Sequence, residues 1–109
     1  PAALPVAKAF KLGERLETPE RLMAKDAGDV YRLFDATAVA NMAKTTVRLL
    51  GDDRSATTTR PALVYLRALF ATPRGPGVSL ATQALAGIVD ERTVASFMTG
   101  YTRDLLDKT

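Results

Sequence analysis

The chain of 109 residues contains no cysteine and no histidine. The lack of cysteine excludes disulfide bonds, thiolate nucleophiles and cysteine-bound zinc or iron–sulfur sites. The lack of histidine removes the commonest base at neutral pH and the commonest metal ligand. A Ser-His-Asp or Cys-His mechanism within this chain is therefore impossible, and any chemistry must use carboxylates, lysines, arginines, hydroxyls or backbone amides.

Long apolar runs are also missing. The longest uncharged stretch, 75–89, is interrupted by Pro76, Ser79, Thr82 and Gln83, whereas a membrane-spanning helix needs roughly 20 predominantly apolar residues. The chain also opens without the pattern of a secretion signal. We therefore expect no membrane partner and, since cysteine is absent, a cytoplasmic protein.

The overall composition is that of a folded domain. Hydrophobic residues make up 47% of the chain and charged residues 25%, which fits one ordinary globular domain and excludes a disordered tail. The net charge of +3 is spread evenly, with 0 over residues 1–35, +2 over 36–60 and +1 over 61–109. A surface that binds a nucleic-acid duplex usually carries clustered Lys and Arg. The even spread therefore argues against a small nucleic-acid-binding domain.

Helix-forming patterns dominate the sequence, and the alternating β-branched runs typical of strands are absent. We predict an all-α fold without a sheet, a single compact domain of about five to seven helices over residues 1–109. The predicted helical segments are 3–16, 19–23, 26–36, 38–50, 62–71, 79–87 and 91 to about 106. The predicted N-caps are Thr18, Thr37, Ser55 or Thr59, and Asp90, with Gly51 as a left-handed terminator and a loop over 72–77.

The first predicted helix carries an unusually placed cation. Lys8, Lys11 and Arg15 lie within about 60° of one another at about 100° per residue, and Leu4 and Leu12 lie on the same side. A lysine within a row of leucines has two interpretations. Either its stem covers apolar surface while the ammonium reaches water, or its compact charge binds phosphates.

Asp26 and Asp29 raise a similar question, because Val30 and Leu33 place Asp26 on the buried side of its predicted helix and Asp29 at the edge. A carboxylate directed toward a core must find a partner. In one interpretation Asp26 is an N-cap, and Asp29 occupies the third helical position, where a negative charge suits the positive end of the helix. In the other, either carboxylate assists a hydroxyl nucleophile, orients Lys8 or helps to position a metal. Phosphoryl and nucleotidyl transfer require mainly positioning and charge neutralisation, so the lack of histidine is no obstacle.

Other polar and aromatic groups favour structural roles. The glycine-containing loop 72–77 lacks the P-loop pattern, and Thr57–Thr59 suit a helix entrance. The aromatic residues recur at helical spacing and are predicted to lie in the core rather than to stack on bases: Tyr31, Phe34, Tyr65, Phe70, Phe97 and Tyr101. Five arginines are either scattered solvated charges or a modest surface for an acidic partner: Arg48, Arg54, Arg60, Arg67 and Arg74.

The runs KAFKLGER (8–15) and KDAGDVYRL (25–33) resemble the C-terminal motifs of the AbiEii-type toxins. These are minimal nucleotidyltransferase-like proteins of bacterial toxin–antitoxin and phage-defence systems. Their pattern is a helix with K-x6-R, followed by an R/K-D-x-x-D step that leads into an apolar helix. The later helices are more loosely similar to the helical tail of such proteins.

The resemblance implies specific roles for six residues. Catalytic roles fall to Lys8, on the phosphates of the nucleotide, and to Asp26 and Asp29 beside it. Phosphate-binding or supporting roles fall to Lys11, Arg15 and Lys25.

Family members also carry an upstream α/β half with a Gly-Ser or Gly-Gly motif and a D-x-D pair, which binds Mg²⁺ and a nucleoside triphosphate (NTP). Neither motif occurs in this sequence. The resemblance therefore implies the helical C-terminal part of a longer nucleotidyltransferase, inactive alone and without its own metal site. Its implied partners are the N-terminal nucleotidyltransferase half, an antitoxin protein and an RNA acceptor such as tRNA, with protein as the other acceptor class.

The sequence also allows a function of a different class. The second hypothesis is a stand-alone helical interaction module, antitoxin-like or adaptor-like, with a partner covering its helix faces. In that case Lys8, Asp26 and Asp29 form internal ion pairs.

Overall fold

The computed structural model describes residues 24–109, and every regular element in that range is an α-helix. The five helices are α1 (Ala24–Ala36), α2 (Val39–Leu50), α3 (Asp53–Phe70), α4 (Pro76–Ala84) and α5 (Glu91–Lys108). They confirm the predicted all-α fold. The helices predicted over 3–16 and 19–23 lie outside the described residues.

Two helices begin at aspartate caps. The carboxylate of Asp90 accepts hydrogen bonds from the backbone N–H groups of Arg92 and Thr93 at 3.1 and 3.3 Å, so the predicted cap of α5 is confirmed. The cap of α3 was expected at Ser55 or Thr59, which is wrong. Asp52 caps this helix by accepting from the backbone N–H of Arg54 at 2.9 Å. Asp52 directly precedes the first helical residue, so its carboxylate lies close to the backbone N–H groups that have no partner within the helix.

The early start of α3 places Pro61 and the three threonines before it inside the helix. A proline in a helix interior removes one backbone hydrogen bond and costs about 3 kcal/mol. Residues on both sides of Pro61 bury their side chains, among them Ala56, Thr59 and Ala62. The helix thus has buried side chains both before and after the proline, and it continues through it.

The other helix ends also differ from expectation. The residue at the N-cap of α2 is Ala38 rather than Thr37, and it makes no side-chain capping bond. Gly51 ends α2 with a right-handed φ of −77°, so it is not a left-handed terminator. α4 begins at Pro76 instead of residue 79, since proline suits the first helical position. Gly77 then packs on Phe70, and a Cβ at that glycine would lie 2.5 Å from Cε1 of the ring.

The core is organised around α5, which contacts the other four described helices. The ring of Tyr101 on α5 stacks on Phe34 of α1, with centroids 4.1 Å apart. Its hydroxyl donates to the backbone carbonyl of Thr37 in the α1–α2 turn at 2.7 Å. Phe34 also meets Phe70 of α3 edge to face. Phe34, Phe70 and Tyr101 therefore lie in the core as predicted, whereas Tyr31, Tyr65 and Phe97 are partly buried and pack against it.

α1 packs chiefly on α4, and its closest approach is at a glycine. A Cβ at Gly28 would lie 2.9 Å from the Cβ of Ala84, closer than side-chain carbons normally come. The small residue therefore sets the distance between the two helices. None of the helices in 24–109 has the length and apolar character that crossing a bilayer requires.

Tyr101→Phe is expected to lower the free energy of unfolding by about 1 kcal/mol at neutral pH, because the Thr37 carbonyl loses its donor. Chemical denaturation followed by far-UV circular dichroism measures this change. An unchanged midpoint would show that the hydroxyl contributes nothing.

The same variant tests a pH dependence. Burial raises the pKa of Tyr101 from its ordinary value of 10.0 to about 12. Between these values the unfolded chain has released the proton and the folded chain retains it, so stability falls as pH rises. We expect the wild type to lose up to about 1.4 kcal/mol per pH unit more than Tyr101→Phe across this window. Parallel curves for the two proteins would contradict the expectation.

Gly28→Ala is expected to destabilise the fold by about 1–3 kcal/mol, because the added methyl group forces α1 away from α4. Gly100→Ala is the matched control, since a Cβ at this α5 position meets no atom within 4 Å. The control is expected to gain roughly 0.5–1 kcal/mol from its lower chain entropy when unfolded. Thermal unfolding measures both changes in stability. The prediction requires that Gly28→Ala lowers the stability and that Gly100→Ala raises it.

Candidate functional site

Three of the predicted site residues lie in the first half of α1. At about 100° per residue, Lys25, Asp26 and Asp29 fall on an arc of about 100°, with Asp29 between the other two. Lys25 is exposed, whereas Asp26 and Asp29 are half-buried. The K-D-x-x-D motif therefore forms one cluster of a cation and two carboxylates on a single helix.

The opposite side of α1 anchors this cluster to the core. Its buried residues are Ala27, Gly28, Val30 and Phe34, while Leu33 is only half-buried. Asp26 borders this buried side and does not point into it. Asp26 also lies within the helix, so the interpretation as an N-cap is wrong.

Arg32 belongs to the same cluster, although the sequence analysis did not select it. Its Nη1 donates to Oδ1 of Asp29 at 3.4 Å, one helical turn away. The side chain of Arg32 is 58% exposed and that of Asp29 is 28% exposed. A pair at this distance and exposure adds well under about 1 kcal/mol. The i, i+3 spacing of aspartate and arginine was the signal that would have found it.

The other three predicted site residues, Lys8, Lys11 and Arg15, lie outside the described residues. The structure thus brings together Lys25, Asp26 and Asp29 but leaves untested whether the first motif joins them. Residues 24–109 contain no group of three carboxylates that would hold a metal ion.

The other candidates from the sequence are the glycine-containing loop and the five arginines. The loop before α4 places its glycines against the end of α3, with Gly75 and Gly77 both buried, so it does not present a phosphate cradle. The five arginines are exposed but spread over α2, α3 and the following loop. The five arginines therefore do not form one continuous surface for an acidic partner.

Comparison with known proteins adds no further assignment. Neither a protein-family model, nor a curated protein, nor a solved structure matches this chain.

Proposed function

We propose that this chain is the helical part of a nucleotidyltransferase of the AbiEii type. The observation that carries the proposal is the clustering of Lys25, Asp26 and Asp29 along the first half of α1, where Asp29 also pairs with the exposed Arg32. A half-buried carboxylate and an exposed ammonium are the two kinds of group that such a transfer uses.

In the proposed reaction, a hydroxyl oxygen of the acceptor attacks a phosphorus atom of the NTP. A new P–O bond forms, and the bond to pyrophosphate breaks. Lys8 binds phosphate oxygens, with Lys11, Arg15 and Lys25 as supporting cations. Asp29 or Asp26 takes the hydroxyl proton or orients Lys8.

The metal-binding carboxylates would belong to a separate α/β nucleotidyltransferase half, because the resemblance places them in a D-x-D motif that this sequence lacks. In this proposal the chain is an accessory to that half and is inactive alone. The acceptor is an RNA such as a tRNA, or a protein.

Charge-neutralising substitutions on α1 test whether nucleotide phosphates lie near the cluster. Lys25→Gln is expected to weaken NTP binding about threefold and Asp29→Asn to strengthen it about threefold. These factors correspond to a Coulomb energy of about 0.7 kcal/mol for unit charges about 6 Å apart in water. Titration calorimetry of the chain with ATP, CTP, GTP and UTP, each with Mg²⁺, measures the affinities.

The matched controls are Lys44→Gln on α2 and Asp35→Asn near the end of α1, both at exposed positions. They change the net charge by the same amounts and are expected to leave the affinity unchanged. Lys8→Ala is expected to weaken binding further, by about tenfold. Circular dichroism of each variant checks that the fold is retained.

Equal effects in the site and control variants would mean that only the net charge matters. Absence of nucleotide binding, together with early unfolding of Lys8→Ala and Asp29→Asn, would mean that these charges form internal ion pairs. Either result contradicts the proposal and favours the helical interaction module.

A further inference from the structure

The outer face of α2 carries an exposed apolar side chain beside two cations. Val47 is 50% exposed, although Met42 and Thr46 on the same helix are completely buried. Val47 lies in a shallow surface groove between α2 and the end of α5, which we call the α2 groove. Its other lining residues are Ala40, Ala43, Lys44, Arg48 and Lys108.

Every charged residue on α2 is positive. Lys44 and Arg48 are both exposed, and within residues 24–109 neither forms an ion pair. Lys108, which closes the groove from α5, pairs with Asp104. The α2 groove therefore has a small apolar centre and a rim with an excess of positive charge.

This arrangement is typical of a protein interface, in which an apolar centre is surrounded by a polar rim. Single-stranded nucleic acids are usually held by aromatic side chains that stack on bases, and no aromatic residue lines the α2 groove. A second copy of the chain is also disfavoured, because two positive rims would face each other. The observations thus favour a negatively charged protein partner.

We propose that the α2 groove binds an acidic amphipathic helix of a partner protein. The small side chains of Ala40 and Ala43 allow a helix backbone to approach closely, and an apolar side chain of the partner covers Val47. Glutamate or aspartate on either side pairs with Lys44 and Arg48. The groove follows α2 for roughly 12 Å, which accommodates about two turns of a partner helix.

The α2 groove and the cluster on α1 share no residue. Peptide binding therefore succeeds or fails independently of nucleotide binding.

The probe is a synthetic helical peptide with leucines on one face and glutamates on the other, labelled for fluorescence anisotropy. We expect the full chain to bind it more tightly than a counterpart with lysines in place of the glutamates. Added salt is expected to weaken this binding, since the paired charges are exposed. Arg48→Glu is expected to lower the affinity about tenfold.

Two matched variants separate this groove from the general surface. Val47→Ser is expected to weaken peptide binding about fivefold through lost apolar contact, whereas Val64→Ser, at a valine 65% exposed on α3, has no effect. Arg92→Glu makes the same charge change as Arg48→Glu. It lies in the first turn of α5, about 24 Å along the helix from Lys108, and is expected to bind like the wild type.

Equal losses in the groove and control variants would overturn the proposal, as would failure of the acidic peptide to bind. Two further measurements test whether a nucleic acid or a second copy of the chain occupies the groove instead. Tighter binding of a single-stranded RNA than of the peptide would assign the groove to nucleic acid. A dimer in analytical ultracentrifugation that Val47→Ser dissociates would assign it to a second copy.

Discussion

The fold depends on the stacking of Tyr101 on Phe34. This contact joins the central helix α5 to α1, and the Tyr101 hydroxyl also holds the turn between α1 and α2 through the Thr37 carbonyl. Phe34 extends the connection to α3 through its contact with Phe70. Together with Phe70, this aromatic pair therefore connects three helices and a turn.

The same constraint decides which side of α1 remains accessible. Phe34 turns toward α5, and Gly28 brings the helix against Ala84 of α4. Because these contacts occupy one side, the side that bears Lys25 and Asp29 stays at the surface. The candidate site is therefore a consequence of packing, and its position depends on a glycine within the motif itself. Close packing against Ala84 thus explains why the residue between the two aspartates is a glycine.

The proposed phosphate site on α1 and the α2 groove each contain a lysine and an arginine, but the surroundings of these side chains differ. On α1 a lysine and an arginine lie beside carboxylates, so their charge is largely balanced. On α2 Lys44 and Arg48 lie beside apolar side chains, and their charge is uncompensated within the described residues. Balanced charge suits a site where phosphates and a proton must be handled together. Excess charge around an apolar centre suits steering of an oppositely charged partner.

The sequence by itself determined the all-α class, the cap at Asp90 and the core positions of Phe34, Phe70 and Tyr101, because periodicity and capping are local properties. It did not predict that Asp52 caps α3, since aspartate, serine and threonine all suit an N-cap and the local pattern does not choose between Asp52, Ser55 and Thr59. The K-D-x-x-D pattern places Lys25, Asp26 and Asp29 on one helix, and the roles of these three residues and of Lys8 stay predictions. Only the tertiary structure decided that Asp26 lies beside the buried face and that Val47 remains exposed. Both depend on which helices meet, and those contacts join residues far apart in the chain.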